Sequence, residues 1–167
     1  DQGIEQFYRD NRITPIYEGT NSVQAADLVF RKLINKNGDV IDKYLKLVKE
    51  EINIKEQRAQ PFVKQLHYHL GILSKFTDWI KEKIKNSPED ASGACNDYLK
   101  VLGLVATGHA WLKVLEVSFK EYDSNKDFYE DKIQTANFFY NRILPRIDSN
   151  YITATTGSNY IMNYKFN

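Results

Sequence analysis

The stretch EQRAQPFVKQLHYHLGILSKFTDWIKEKIKN, residues 56–86, decides how this chain folds. Phe62, Val63, Leu66, Leu70, Leu73, Phe76, Ile80 and Ile84 recur at steps of three and four, the spacing of one face of an α-helix. Pro61 falls in the first turns, where a missing N–H removes no helical hydrogen bond. Downstream, Ser87-Pro88-Glu89-Asp90 reads as a fresh helix start: a serine N-cap, proline at the first helical position and two acids at the positive end of the dipole. That helix carries Tyr98, Leu102, Val105, Trp111, Leu112, Leu115 and Phe119 and is predicted to end near Tyr122. After the polar loop Asp123-Ser124-Asn125-Lys126-Asp127, a last helix begins near Phe128. It bears Ile133, Ala136, Phe139, Tyr140, Ile143 and Leu144, and Pro145 is expected to bend or shorten it. Residues 153–167 are polar and rich in small side chains, with Gly157 as a break, and their end is expected to be loosely held.

Upstream of the opening stretch, a helix from about Val40 to Ile52 has Val40, Tyr44, Leu47 and Val48 as its apolar stripe. Asn35-Lys36-Asn37-Gly38-Asp39 is a stop and restart, since Asn and Gly end helices and Asp caps the next. The domain boundary is placed there, giving units 1–37 and 38–167. In the first unit, residues 1–10 read as a helix tail, 11–19 as a loop around Pro15, and Asn21 to Asn35 as a helix with Val23, Ala26, Phe30, Leu33 and Ile34 on one face. The fold class predicted is all-α: an antiparallel four-helix bundle preceded by a loop and one helix. Gly71, Gly103, Ala106, Gly108 and Ala110 are expected to let the helices approach closely.

Composition narrows the classes. The chain has 167 residues and is 42% hydrophobic, enough for a packed core. Its 23 basic and 22 acidic residues leave a net charge of +1, so there is no general pull toward nucleic acid or anionic membrane. No stretch reads as long and apolar enough to span a bilayer. The single cysteine, Cys95, rules out an internal disulfide and suits a reducing, cytoplasmic compartment.

The chemistry sits near the front. Arg9 to Gln24 reads RDNRITPIYEGTNSVQ, which sets one carboxylate, Glu18, on a tight loop directly before a helix start. Thr20 is a good N-cap, and Gly19 removes the side chain beside the carboxylate so that a ligand can come close. Ile16 and Tyr17 flank Glu18. Partial desolvation there is expected to raise its pKa and strengthen it as a base.

Tyr8-Arg9-Asp10, Arg12-Ile13 and above all Ile16-Tyr17-Glu18-Gly19-Thr20-Asn21 with Gln24 resemble the carboxy-terminal signature of the acyl-CoA dehydrogenases. The wording after the motif, Gln24-Ala25-Ala26-Asp27-Leu28, and the continuation past Leu33 and Ile34 resemble the subgroup with an added C-terminal helical domain, similar to 3-methylmercaptopropionyl-CoA dehydrogenases. Asp97-Tyr98-Leu99, Gly103-Leu104-Val105-Ala106, Thr135-Ala136-Asn137-Phe138-Phe139 and Arg142-Ile143-Leu144-Pro145 resemble that added domain more loosely.

The resemblance implies an FAD flavoprotein of fatty acid metabolism that desaturates an acyl-CoA thioester between its α and β carbons. Glu18 would abstract the α-proton, and its backbone N–H would donate to the thioester oxygen. Gly19 would lie against the substrate. Thr20, Asn21 and Gln24 would face FAD. Electron-transferring flavoprotein is the implied electron acceptor, and the assembly a homo-oligomer. On this reading the chain begins inside a larger protein, and alone it is expected to bind FAD poorly and turn over no acyl-CoA. The alternative is a non-catalytic helical module for assembly.

Other clusters carry blander readings. Arg9 and Arg12 are expected to be structural ion-pairing residues. His67 and His69 are two apart on a helix and point to different faces, so no metal site is predicted. Cys95 reads as a small, partly buried residue. Asp123, Asn125 and Asp127 mimic a calcium loop. Phe128 and Gln134 stand where glycine and glutamate are required, so this is a solvated loop.

Overall fold

The computed structural model describes residues 4–16, 19–34 and 40–163. Glu18 and the boundary segment 35–39 lie outside the described residues. All regular structure among the described residues is helical. Helix α1 is Ile4–Asn11 and α2 is Asn21–Asp27, continued by a π-helical turn Leu28–Lys32. Helix α3 is Val40–Glu51, α4 is Gln60–Asn86, α5 is Pro88–Lys120 and α6 is Lys126–Phe138, the last continued by a π-helical turn Phe139–Ile143. Helices α7, Arg146–Thr155, and α8, Asn159–Met162, complete the chain.

Helix α5 is the centre, packed against α2, α4, α6 and α7, while α7 also touches α4 and α3 lies on α4. This is why α5 is so apolar. It alone among the described helices has the length and composition to cross a bilayer, which the sequence reading did not credit to any stretch. That length serves the bundle: Ala91, Ala94, Tyr98, Val101, Val105, Leu112 and Leu115 are all essentially inaccessible. The stripe read for α4 is the buried one, with Phe62, Leu66, Leu70, Leu73, Phe76 and Ile80 in the core.

Several expectations are corrected. Helix α4 starts at Gln60 rather than Glu56, because the Pro61 ring cannot sit over a preceding α-helical turn. Residues Gln57–Ala59 form a 3-10 turn instead, with the Glu56 carboxylate accepting from the Arg58 N–H at 3.2 Å. On α3 the inner face is Ile41, Tyr44, Leu45 and Val48, while Val40 and Leu47 are 60% and 47% exposed. On α2 it is Ala25, Val29 and Leu33, while Val23, Phe30 and Ile34 are exposed. The Ser87 side chain makes no cap; its carbonyl accepts from the N–H groups of Asp90 and Ala91.

The last helix is interrupted at Pro145, as expected: α6 passes into the π-helical turn Phe139–Ile143, and a separate helix, α7, starts at Arg146. The Leu144 N–H donates to the Phe139 carbonyl at 2.9 Å, a π-type bond that absorbs one residue just before the proline. Pro145 itself stays right-handed helical, and α7 carries on to Thr155 with Ile147 and Ala154 buried. The chain beyond is pinned through Ser158, while residues 164–167, at the end expected to be loosely held, lie outside the described residues. Asp90 Oδ1 accepts from the Ser158 N–H at 2.7 Å and its hydroxyl at 2.8 Å, and Lys83 pairs with the other oxygen at 3.1 Å. Gly157 turns the chain there at φ 81°, a conformation side chains strain to adopt.

Of the small residues expected at helix contacts, only Gly108 serves. A Cβ there would lie 3.1 Å from Leu66 Cδ1 and 3.4 Å from Leu144 Cδ1, whereas one at Gly71 or Gly103 would meet nothing within 4 Å. The Tyr140 hydroxyl donates to the Gly108 carbonyl at 2.7 Å. Gly108→Val is therefore expected to cost about 1–3 kcal/mol by overpacking. Gly103→Ala is expected to add up to about 1 kcal/mol by helix propensity, both read by urea unfolding.

The Asp90 carboxyl is held down at about 2, first by the Ser158 N–H, then by the Ser158 hydroxyl and the Lys83 ammonium. Because the folded value lies below the ordinary one of about 3.9, its stabilising contribution is full above that pH and fades as pH falls toward 2. Hydrogen exchange at the Ser158 amide should accelerate over that acid window in the native protein, and show no such acid step in Asp90→Asn.

Candidate functional site

The loop that carries the carboxylate motif hangs between α1 and α2. Successive turns carry it through residues 12–16: the Arg12 N–H bonds to Arg9 O, Thr14 N–H to Asn11 O and Ile16 N–H to Ile13 O. Thr20 then starts α2 as an N-cap. It sits in extended backbone at ψ 138°, and its hydroxyl accepts from the Val23 N–H at 3.3 Å. Gly19, Thr20, Asn21 and Gln24 are all exposed, on the open side of the α2 start. The structure thus brings four of the site residues together at one helix start, next in sequence to Glu18, which lies outside the described residues.

What the sequence did not disclose is the support behind this start. Ala25 and Val29 are fully buried and α2 packs on α5. Next to the cap, the Asn96 side-chain amide on α5 donates to the Ser22 hydroxyl oxygen at 3.1 Å. Polar residues 74 apart in sequence give no local pattern, so only the fold reveals the pair.

The other side of the loop has no such support. Helix α1 buries no residue, and Ile4, Phe7 and Tyr8, which share one face, are 74%, 72% and 69% exposed. Ile13 and Ile16 in the loop, and Val23 on α2, are exposed as well. Arg9 and Arg12 have no carboxylate partner among the described residues, contrary to the ion pairing expected of them. The Arg9 guanidinium donates to the Gln6 side-chain oxygen at 3.0 Å.

Elsewhere the polar clusters are structural. His67 is exposed, while buried His69 lies 2.8 Å from the Gln65 carbonyl and 3.3 Å from Asp148. Tyr68 donates to the other Asp148 oxygen at 2.9 Å, so both side chains tie α4 to α7. His109 meets Glu51 at 2.9 Å, and Lys113 meets the same oxygen at 3.2 Å. Among the described residues no group of three His, Cys, Asp or Glu side chains is placed to hold a metal. Asn125 caps α6, accepting from the Phe128 N–H at 3.3 Å. Cys95 is buried, its thiol donating to the Ala91 carbonyl at 3.2 Å, and burial pushes its pKa up, as in an unreactive packing residue.

Residues 40–165 match the family described as "Acetyl-CoA dehydrogenase C-terminal like". The chain is 30% identical over 149 residues to a "3-methylmercaptopropionyl-CoA dehydrogenase" of Ruegeria pomeroyi, covering 85% of this chain and 25% of that protein. It is 26% identical over 176 residues to the "Broad-specificity linear acyl-CoA dehydrogenase FadE5" of Mycobacterium tuberculosis, covering 97% of this chain and 29% of that one. The chain thus spans about a quarter of the length of these curated relatives.

Removing the α5 support should loosen the α2 start without unfolding the bundle. Asn96→Ala is expected to speed amide exchange at Val23 and Gln24 several-fold and to change global stability by about 1 kcal/mol or less. Exchange measured by NMR at these two amides and at core amides of α4 separates the two effects.

Proposed function

We propose, proceeding from the membership of this chain in the acyl-CoA dehydrogenase C-terminal family, that it forms the carboxy-terminal part of an FAD-dependent acyl-CoA dehydrogenase with Glu18 as its base. The observation that carries the reading is the exposed, capped start of α2 immediately after Glu18, held from behind by α5. A base must be presented at a fixed point, and a helix start packed on a central helix fixes the backbone on that side.

In the proposed reaction the Glu18 carboxylate takes the α-proton of the thioester. Its own N–H donates to the thioester oxygen, where negative charge gathers as the proton leaves. Gly19, with no side chain, leaves room for the acyl group beside that oxygen. FAD, when bound, supplies the acceptor for the hydride leaving the β-carbon. The residues present fit such a neighbour. The side chains of Asn21 and Gln24 are exposed and make no hydrogen bond among the described residues, so both are available to a polar cofactor beside Thr20.

The unit boundary at residues 37–38 is part of the same proposal. The first unit completes the catalytic helical domain and the second is the added bundle. The bare apolar face of α1, with Ile13, Ile16 and Val23, supports this, because such a patch requires cover and relatives of this chain are about four times its length. Electron-transferring flavoprotein as electron acceptor and homo-oligomeric assembly belong to the proposal through the family alone.

Glu18→Gln in the full-length enzyme should lower acyl-CoA dehydrogenation by about 10²–10⁴-fold, with flavin content and oligomeric state unchanged. Dye-coupled turnover and the flavin absorbance of the purified protein check both halves, and normal turnover in the variant ends the proposal. The chain alone should purify colourless and inactive.

A further inference from the structure

We propose that the cleft between α3 and the middle of α4 binds a phosphate monoester. Lys46 and Lys49, three apart on α3, line one wall, and His67, Gly71 and Ser74, spaced by four and three on α4, line the other. The volume is about 400 Å³, in the range of small-molecule sites. Every polar side chain along it is cationic or able to donate, and no carboxylate lines it. The Lys49 ammonium and the His67 ring have no ion pair or hydrogen bond among the described residues. The Lys46 ammonium has only Glu50 of its own helix, loosely, at 3.9 Å. The Ser74 hydroxyl also lacks a partner and is open to solvent. Lys46, Lys49 and His67 are exposed, so a ligand in the cleft can reach all four groups.

Two ammonium groups, an imidazole and a hydroxyl around one space select an oxyanion. A planar carboxylate offers two oxygens and one charge. A phosphate monoester offers three oxygens on a tetrahedron and about two negative charges, which suits two ammonium groups on one wall and two further donors on the other. Gly71 keeps the space open, since a Cβ there would meet nothing within 4 Å. Glycine inside a helix costs stability relative to alanine, and neither a positive φ nor a close helix crossing requires it at this position. Leu45 and Leu70 offer apolar surface to the carbon body of the ester. No residue of the proposed acyl and flavin site takes part, so the proposal is independent of Glu18.

The test is a titration of the full chain with phenyl phosphate at constant ionic strength, followed by NMR shifts of the His67 ring protons and the Gly71 and Ser74 amides. Benzoate, benzyl alcohol and benzylamine serve as planar-anion, neutral and cationic comparisons. Phenyl phosphate should saturate all three signals, benzoate should bind more weakly, and the alcohol and the amine should give no saturable shift. Lys49→Gln and Ser74→Ala should each weaken phenyl phosphate by about 2- to 10-fold, the worth of one hydrogen bond, with the melting temperature held. Gly71→Leu should abolish binding with the melting temperature held or raised, because leucine fills the cleft and favours helix. Lys120→Gln, at the end of α5 and outside the cleft, should change nothing. Binding of the chain to phosphatidic acid vesicles, lost in Gly71→Leu, marks the ester as a lipid headgroup, and no vesicle binding marks it as a soluble molecule. Absence of saturable binding, equal affinity for benzoate and phenyl phosphate, or unchanged affinity in Lys49→Gln or Gly71→Leu overturns the proposal.

Discussion

The close approach at Gly108 is the constraint on which the bundle turns. Here α5 offers a bare backbone, and Leu66 of α4, Leu144 and Phe139 close on the space a side chain would take. Close packing of this kind makes the interior sensitive to a single added methyl group. The Tyr140 hydroxyl reaches the Gly108 carbonyl across the same crossing, so one residue sets both the distance and the rotation of α6 against α5. The π-helical turn at Phe139–Ile143 follows from this demand. It shifts the register just ahead of Pro145, which lets Phe139, Tyr140, Leu144 and Ile147 all face inward on either side of a residue that cannot donate.

Polar contacts then select one register among the many that apolar helices allow. The Tyr98 hydroxyl meets the Thr77 hydroxyl at 2.9 Å, while Thr77 donates to the Leu73 carbonyl at 2.7 Å, so the buried pair is fully accounted for. Tyr98 is pushed up to about 12 by burial and remains neutral in its site. Asp148 receives Tyr68 and His69 from α4, and Glu51 receives His109 and Lys113 from α5. A helix slipped by one residue would lose these pairings and leave polar atoms in the core unmet, a cost that apolar contacts alone do not impose.

The helices up to α6, their order and the stripe of α4 were legible because they rest on local rules, whereas α7 and α8 were not read as helices. The stripe of α4 repeats from Phe62 to Ile84, about six turns, and a pattern of that length has one reading. The faces of α2 and α3 were misjudged by a residue or so because those helices are short, and each has enough apolar residues to suggest two stripes. The exposed residues Val23, Phe30 and Ile34 are as apolar as the buried Ala25, Val29 and Leu33, so periodicity could not choose between them. The choice came from the packing of α2 on α5, which buries Ala25 and Val29 completely. Pro145 was legible as an interruption, whereas the π-type bond just before it and the helix that resumes at Arg146 were not. In the site, Thr20 as a cap was legible from residue type, whereas the Asn96 to Ser22 bond required the fold.

The two ends of the motif loop are held by different means, and this bears on where its geometry is determined. On the α2 side, Ala25 and Val29 are fully buried against a bundle whose core is continuous, so Thr20 is fixed by this chain. On the α1 side nothing is buried. A helix of eight residues is well short of the length that is stable in water by itself, and Ile4, Phe7 and Tyr8 give α1 no buried face to compensate. The two flanks of the motif loop are therefore held differently, Thr20 through the packing of α2 on α5 and α1 by no buried contact among the described residues.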